Sequence, residues 1–260
     1  MQHRYKLAGL MALIFILMGC GSTIEVAKVK QTKEVAVPII TVNEYIDMSN
    51  LDDTGLTTLM QRIAENEEFD LTPTVKKLRN KTYDEYAAQM PFTILPESEV
   101  IHTEKYQNFN LLQKEANDER YQNLQFLLVP DGYKKYNLGQ GALLWNRQPR
   151  MFGAVPEQVD ALLFASADYA MVKDNPFWFF LMPFAADRVY VKATIRYEMV
   201  NREGETIMRI VKSAKSRDYT RMVAGLNLDV DEIQGLATTA TERAFVKVDE
   251  FVQEEMGQQS

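Results

Sequence analysis

Hydrophobic and polar residues alternate along a stretch in the last third of the chain. From Val189 to Met199, every second residue is apolar or aromatic. The residues between them include Lys192, Thr194, Arg196 and Glu198. A period of two is typical of a strand with one buried and one polar face. Turn residues follow from Asn201 to Glu205, and Ile207 to Val211 is the predicted return strand, so the sequence predicts a β-hairpin.

Two other stretches read as strands. Val159 to Val172 is apolar on both alternating faces until Asp168, which predicts a central strand covered on both sides. Val35 to Val42 is rich in β-branched residues, but Pro38 favours an edge position or a bent start.

The last part of the chain has the spacing of an amphipathic helix. Asp229 or Asp231 can cap its start. Its apolar stripe consists of Ile233, Leu236, Ala240, Ala244, Val248 and Phe251. A second helix is predicted to begin at Thr72–Pro73 and to break near Asn80. Helices and strands interleave, so we expect an α/β or α+β fold: a mixed sheet with flanking helices, a hairpin near residues 189–212 and a long C-terminal helix.

The start of the chain has the pattern of a secretory signal. Arg4 and Lys6 precede a 12-residue run, Leu7 to Met18, that is apolar apart from Gly9. A bilayer-spanning helix needs roughly 20 apolar residues, so this run is short for a permanent span.

The only cysteine, Cys20, comes directly after this run. The sequence Leu17–Cys20 resembles the lipobox of bacterial lipoproteins. The resemblance implies cleavage between Gly19 and Cys20, diacylglycerylation of the Cys20 thiol and acylation of the new amino terminus, typically with palmitate. Gly21 follows where an Asp would signal inner-membrane retention, which favours the periplasmic face of the outer membrane. An uncleaved signal anchor, or a signal peptide with an incidental cysteine, is the alternative.

These features divide the chain into three parts. Residues 1–19 are the predicted signal peptide, residues 20–34 the lipidated cysteine with a polar tether, and residues 35–257 one periplasmic domain. At ~3.3 Å per residue, a tether from Gly21 to Glu34 would reach about 45 Å. Two or more acyl chains anchor a protein stably, whereas one binds only marginally.

The charge of the predicted mature chain argues against some partners. Removing residues 1–19 takes away Arg4 and Lys6 and no acid, so the net charge of −7 becomes −9. An acidic chain disfavours nucleic acid as a partner. We expect the bilayer, through Cys20, and one or more envelope proteins as partners, with self-association as a further option.

Several features in the second half resemble the domain type shared by CsgG, the TolB N-terminal domain and LpoB. These are the strand with Ala167, Asp168 and Tyr169, the hairpin with Gly204 in its turn, and the helix that follows. Val35 to Val42 would be the opening strand of that family. The chain departs from the family in a longer stretch between Val42 and Leu124, and in Lys173–Phe180 where a Gly-Ser is expected. The resemblance implies an envelope lipoprotein that works through protein contacts.

The sequence offers little for catalysis, and we expect no enzyme, cofactor or metal site. Once His3 is removed with the signal, His102 is the only histidine, and we expect it to be solvated or to flank a strand. A nucleophile–histidine pair or a zinc site therefore lacks the residues it needs. Paired acids could hydrolyse glycosidic bonds, but acids on loops and helix surfaces are mostly solvated. The acids in question are Glu65, Glu67, Glu68, Asp70, Glu97 and Glu99.

The most unusual stretch of the predicted mature chain is apolar throughout, from Phe177 to Phe184. It is bracketed by Pro176 and Pro183. One interpretation is a buried strand or crossover; the other is an exposed patch that contacts a bilayer or a partner. The contact residues would then be Phe177, Trp178, Phe179, Phe180 and Phe184, with Trp178 as the interfacial anchor.

The sequence therefore predicts a membrane-anchored lipoprotein that acts as a non-enzymatic adaptor or assembly factor in a cell-envelope machine. The alternative is a CsgG-like secretion-pore subunit or a carrier of a hydrophobic ligand. An envelope hydrolase that uses acids is a third option.

Overall fold

The structure is a computed structural model, and it describes residues 21–49, 63, 66, 68–109, 126–136, 148–174, 187–222 and 229–257. The strands are β1 (Thr23–Ile24), β2 (Glu34–Asp47), β3 (Thr93–Ile94), β4 (Leu127–Leu128), β5 (Ala161–Asp174), β6 (Asp187–Asn201), β7 (Thr206–Lys215) and β8 (Thr220–Met222). The α-helices are α1 (Val26–Gln31), α2 (Thr72–Asn80), α3 (Glu97–Val100), α4 (Glu104–Asn108) and α5 (Val230–Gly257).

Within the described residues the strands form one eight-stranded sheet in the order β1-β7-β6-β5-β2-β3. The short strand β4 pairs with β2, and β8 pairs with β6. Strand β2 runs parallel to both β3 and β5, and the other pairs are antiparallel. A mixed sheet with flanking helices and a long C-terminal helix is an α+β fold, as the sequence predicts.

The predicted hairpin is present as β6 and β7. Gly204 lies in its turn with a φ of +82°, a conformation that glycine adopts without the steric cost paid by other residues. On one face of β6, six residues are 0–2% exposed, and the residues between them, from Tyr190 to Glu198, are half-buried. The buried residues are Val189, Val191, Ala193, Ile195, Tyr197 and Met199. The face assignment from the period-two pattern is confirmed.

Helix α5 covers the buried face of β6 and β7. The Asp229 side chain accepts a hydrogen bond from the backbone N–H of Asp231 at 3.1 Å, so Asp229 caps the helix start. Of the predicted stripe, Phe251 is half-buried and the other members are buried. Ala240 and Ala244 are both fully buried, and their small side chains let the helix backbone approach the sheet closely.

Strand β5 occupies the predicted central position, between β2 and β6. Its core side faces the helices: the Tyr169 hydroxyl lies 2.7 Å from Thr241 Oγ1 of α5 and donates to Thr74 Oγ1 of α2 at 3.3 Å. Along its other side Ser166, Asp168 and Ala170 are only half-buried. The expectation that both faces are covered is thus met fully on one face and partly on the other.

Pro38 lies at an irregular point of β2. Between Ala36 and Ile39 the register with β5 shifts, because two residues of β2 oppose one residue of β5. The Pro38 carbonyl accepts a hydrogen bond from the Tyr106 hydroxyl at 2.8 Å. The predicted irregularity is therefore a bulge inside a 14-residue strand rather than a bent start.

Helix α2 ends at Asn80, where the sequence predicts a break. A π-helical turn follows over Lys81–Tyr86. The Tyr86 hydroxyl donates to Asp249 Oδ1 of α5 at 2.7 Å, and Lys81 Nζ donates to Asp249 Oδ2 at 2.9 Å. The wider turn thus brings two side chains onto one carboxylate and ties this segment to α5.

The segment predicted as a tether, residues 21–34, is largely part of the fold. Strand β1 pairs with β7, and Val29 of α1 is fully buried. Lys28 Nζ donates to Glu205 Oε2 at 2.8 Å across the end of the hairpin. The polar composition of this segment reflects a short strand and a short helix with one exposed side. Of the described residues, only Gly21 precedes the first hydrogen bonds to the sheet.

Candidate functional site

The residues that the sequence singles out for lipidation and contact lie outside the described part of the chain. These residues are Gly19, Cys20, Phe177, Trp178, Phe179, Phe180 and Phe184. Cleavage at Gly19–Cys20, acylation of Cys20 and membrane or partner contact by the aromatic run therefore stay predictions. The described residues on either side define where each segment is attached to the fold.

The N-terminal attachment point is the outer edge of β7. Ser22 Oγ donates to the Val211 carbonyl at 3.1 Å and accepts from the Val211 N–H at 3.0 Å. Thr23 then pairs with Arg209 in the register of β1. Ser22 is thereby fixed by its side chain as well as by the strand that follows it.

The aromatic run is attached between two neighbouring strands. Strands β5 and β6 pair antiparallel as far as Asp174 opposite Arg188. The described residues that flank the run therefore lie side by side at one end of the sheet. Antiparallel neighbours of this kind need no crossover to connect them.

The middle of the sheet face opposite α5 is polar across β5, β6 and β7. Asp168, Thr194 and Ser213 stand in one cross-strand row, and the Thr194 and Ser213 hydroxyls are 2.8 Å apart. The neighbouring rows contribute Arg196 and Lys192 of β6. All five side chains are half-buried, so this polar face combines charge with limited exposure.

An ion pair organises the centre of this polar face. Arg196 Nη1 lies 3.1 Å from Asp168 Oδ2, with about a third of the arginine side chain exposed. Burial raises the pKa of Asp168 above its ordinary value, while the Arg196 charge and a hydrogen bond with the Asn43 side chain act in the opposite direction. The carboxylate is thus held in a partly desolvated place by two partners on different strands.

Strand β2 is distorted beside this carboxylate. Between Val42 and Ile46 it carries three residues opposite the single residue Asp168 of β5. Such bulges re-aim side chains and are frequent next to functional sites. Here the bulge places Asn43 at Asp168, and Asn43 Oδ1 also accepts the Tyr45 N–H at 3.0 Å.

The acids considered for hydrolysis do not converge in the described structure. Glu65 and Glu67 lie outside the described residues, and Glu68 and Glu99 are exposed. Asp70 Oδ1 accepts the Thr72 N–H at 2.7 Å at the start of α2, and hydrogen bonds from the Thr72 side chain and backbone lower the Asp70 pKa. Glu97 is paired with Arg79 and accepts a hydrogen bond from the Tyr133 hydroxyl at 3.1 Å.

Three further features concern a histidine, metal ligands and membrane-spanning helices. His102 is exposed, as predicted, and lies beside Gly132. Among the described residues, no three His, Cys, Asp or Glu side chains form a cluster that could hold a metal ion. No helix within those residues has the length and apolar character needed to cross a bilayer.

Comparison with known proteins adds little. No protein-family model and no curated protein matches the chain. Among solved structures, it aligns with a Helicobacter pylori protein described as a neuraminyllactose-binding hemagglutinin homologue. The alignment covers 88% of this chain and 87% of that one, with 7% identity and a TM-score of 0.34. A similarity at this level supports no conclusion about function.

The Asp168–Arg196–Asn43 cluster was not predicted from the sequence. The available signal was Asp168 itself, the first charge in an otherwise apolar strand. Its partners are two residues away in register on β6 and inside a bulge of β2, and neither relation can be read from residue spacing.

Proposed function

We propose that the protein is a lipid-anchored, non-enzymatic adaptor or assembly factor, attached through Cys20 to the periplasmic face of the outer membrane. The observation that carries the proposal is the Leu17–Cys20 motif after a basic start and a 12-residue apolar run. Ser22 is bonded to the Val211 backbone, so only Gly21 would separate a Cys20 anchor from the fold.

The polar face of β5, β6 and β7 supports the adaptor role. It presents Asp168, Arg196, Lys192 and Thr194 on a rigid sheet, whose opposite face is held by α5. Fixed charges that are only partly exposed favour specific protein contacts, because they lose little side-chain freedom on binding. We therefore assign partner binding to this face and to the aromatic run from Phe177 to Phe184.

Mass spectrometry of the native protein, purified from membranes, tests the anchor. The expected product begins at Cys20 and carries a diacylglyceryl group and an amide-linked acyl chain. A Cys20→Ser variant should retain residues 1–19 and carry no lipid. A native chain with an unmodified Cys20, or one that still begins at Met1, would contradict the proposal.

Crosslinking in intact envelopes tests the adaptor role. Photo-crosslinkers placed within residues 176–184 and at Lys192 should capture the same envelope protein. A crosslinker at Thr238, an exposed residue of α5, is the matched control. Equal capture from Thr238 would show that the adducts reflect crowding rather than a binding face.

The alternative function is a secretion-pore subunit or a carrier of a hydrophobic ligand. The apolar face of β6 packs under α5, so a lipid-inserted hairpin would first have to release that helix. An apolar cavity of about 10 Å³ is lined by Tyr86, Met90, Phe92, Ile94, Leu163, Tyr197, Met208 and Ile210. This volume holds about one water molecule and is far below the ~300 Å³ typical of small-molecule sites, so this cavity has no room for a hydrophobic ligand. Detergent-dependent rings in electron micrographs would favour the pore over the adaptor.

A further inference from the structure

The outer edge of β7 is covered by hydrogen bonds from several elements. Beyond β1 and Ser22, which bond as far as Val211, the edge continues to Lys215. Lys247 Nζ of α5 donates to the Ser213 carbonyl at 2.8 Å, and Arg243 Nη1 donates to the Lys215 carbonyl at 3.0 Å. Two cations of α5 are thereby fixed along the same strand edge that receives the N-terminus.

This edge is basic, although the mature chain is predicted to be acidic. Lys212, Lys215, Arg243 and Lys247 lie within one stretch of β7 and the adjoining turns of α5. Lys212 Nζ lies 3.8 Å from the centroid of the Phe251 ring, which holds it against the helix. The exposed acids on the neighbouring helix surface are Glu242, Glu250 and Glu254, and the exposed pair Arg217 and Asp218 follows β7. We call Val211–Lys215 together with Arg243 and Lys247 the basic edge.

The opposite direction along β7 is different in charge. Toward the hairpin turn, Lys28 forms ion pairs with Glu25 at 3.0 Å and with Glu205 at 2.8 Å. The cation there is thus matched by two carboxylates, and we expect this end to have no net attraction for anions. On the side toward Lys215, by contrast, Arg243 and Lys247 bond to backbone carbonyls, which do not neutralise their charges.

The anchor point is close to the basic edge. Only Gly21 separates Cys20 from Ser22, so the two Cα atoms of Cys20 and Ser22 are at most about 7 Å apart. The polar layer on each side of a bilayer is roughly 5–8 Å thick. Because β1 is antiparallel to β7, the backbone that precedes Thr23 lies on the Lys215 side of Arg209.

We propose that the basic edge faces the bilayer and binds the anionic headgroups of the leaflet that holds the Cys20 acyl chains. This inference rests on the proposed lipid anchor and adds a fixed orientation to it. Clustered lysines and arginines beside a membrane attach to acidic phospholipid, and short tethering raises the local concentration of headgroups at the edge. The polar face and the sheet end that bears the aromatic run would then be held at defined heights above the membrane.

Fluorescence quenching of the full-length, acylated protein in vesicles tests this orientation. In acylated protein Cys20 is not a free thiol, so one introduced cysteine can be labelled, either Val246→Cys beside Arg243 and Lys247 or Lys76→Cys on α2. Both positions are exposed. In phosphatidylcholine vesicles containing phosphatidylglycerol, a headgroup spin label should quench the Val246 label at least twofold more than the Lys76 label. Equal quenching of the two labels would overturn the proposal.

Charge variants separate headgroup binding from proximity alone. Arg243→Gln with Lys247→Gln should at least halve the excess quenching at Val246, as should vesicles of phosphatidylcholine alone or high salt. The charge-conserving pair Arg243→Lys with Lys247→Arg should restore it, which separates lost charge from lost packing. Lys33→Gln with Lys105→Gln is the matched control and should change nothing. Excess quenching that is insensitive to every charge change would overturn headgroup binding.

The outcome is distinguishable from failure of the proposed function. The mass of the same preparation reports acylation before the vesicles are made. An unmodified Cys20 refutes the anchor, whereas equal quenching with an acylated Cys20 refutes only the orientation. A thermal melt of each variant shows whether loss of the two bonds to β7 carbonyls has unfolded the edge.

Discussion

The two faces of the central sheet are made by the same three strands and differ in the interactions that stabilise them. The face under α5 is a dry layer in which Ile195 and its neighbours on β6 are 0–2% exposed. The opposite face has half-buried polar side chains joined by the Asp168–Arg196 pair and the Thr194–Ser213 bond. Burial of apolar area is the dominant stabilising term in folding, whereas a half-exposed pair contributes little. The helix-covered face therefore provides the stability, which leaves the polar face free to serve binding.

The largest expected change in stability comes from a comparison of two adjacent residues of β6. Ile195→Ala removes a fully buried side chain under α5 and should lower the free energy of unfolding by about 2–5 kcal/mol. Thr194→Ala removes the bond to Ser213 on the polar face and should lower it by about 1 kcal/mol or less. Urea unfolding of both variants measures the two values. Similar losses would mean that the faces contribute equally to stability.

A second test concerns hydroxyl groups. Tyr169→Phe deletes a buried hydroxyl that contacts Thr241 and Thr74, and should lower the free energy of unfolding by about 1–2 kcal/mol. Tyr190→Phe makes the same chemical change on the half-buried polar face, where a shift within about 0.5 kcal/mol is expected. Calorimetric melting of the pair distinguishes them, and the reverse order would contradict the assignment.

The polar face should also respond to pH through Asp168. Its pKa is raised in the fold, so the folded state binds this proton more tightly than the unfolded chain does. Stability from this group is therefore greatest at low pH and falls as the pH rises from the ordinary value of 3.8 through the raised one. Asp168→Asn mimics the protonated form, so it should remove this fall and be at least as stable as the unaltered protein at pH 7.

Unfolding at a series of pH values checks this sign. The free energy of unfolding of the unaltered protein minus that of Asp168→Asn should be larger near pH 4 than near pH 7. A larger difference at pH 7 would indicate that the Arg196 charge outweighs burial at this site.

The smallest effect on stability is expected at Lys192. Replacing this half-buried residue with Gln should change the free energy of unfolding by no more than about 0.5 kcal/mol. If the polar face binds the partner, the same change should weaken capture of that partner from envelopes several-fold. Undiminished capture by Lys192→Gln, together with lost capture by a surface variant of α5, would move the binding face to the helix.

The sequence predicts the faces of the hairpin better than it predicts the short strand β1 or the bulges of β2. Alternation along Val189–Met199 identifies the hairpin and its buried side because a period of two repeats over many residues. Strand β1 has only two residues, so it carries no pattern, and its segment reads as a tether. The bulges of β2 near Pro38 and Asn43 depend on pairing with β5, whose partner residues are about 125 positions away in the chain. The second bulge brings Asn43 to Asp168, so the Asp168 cluster could not be predicted from the sequence either.

The bond between Ser22 and Val211 joins residues 189 positions apart. A chain that is exported with its amino end first presents Ser22 long before β7 emerges. If Cys20 is the anchor, the residues next to the lipid can form these hydrogen bonds only after most of the polypeptide has been exported. The contacts beside the membrane therefore form late, and an incomplete or stalled chain would leave the edge of β7 and the N-terminal strand unpaired at the bilayer surface.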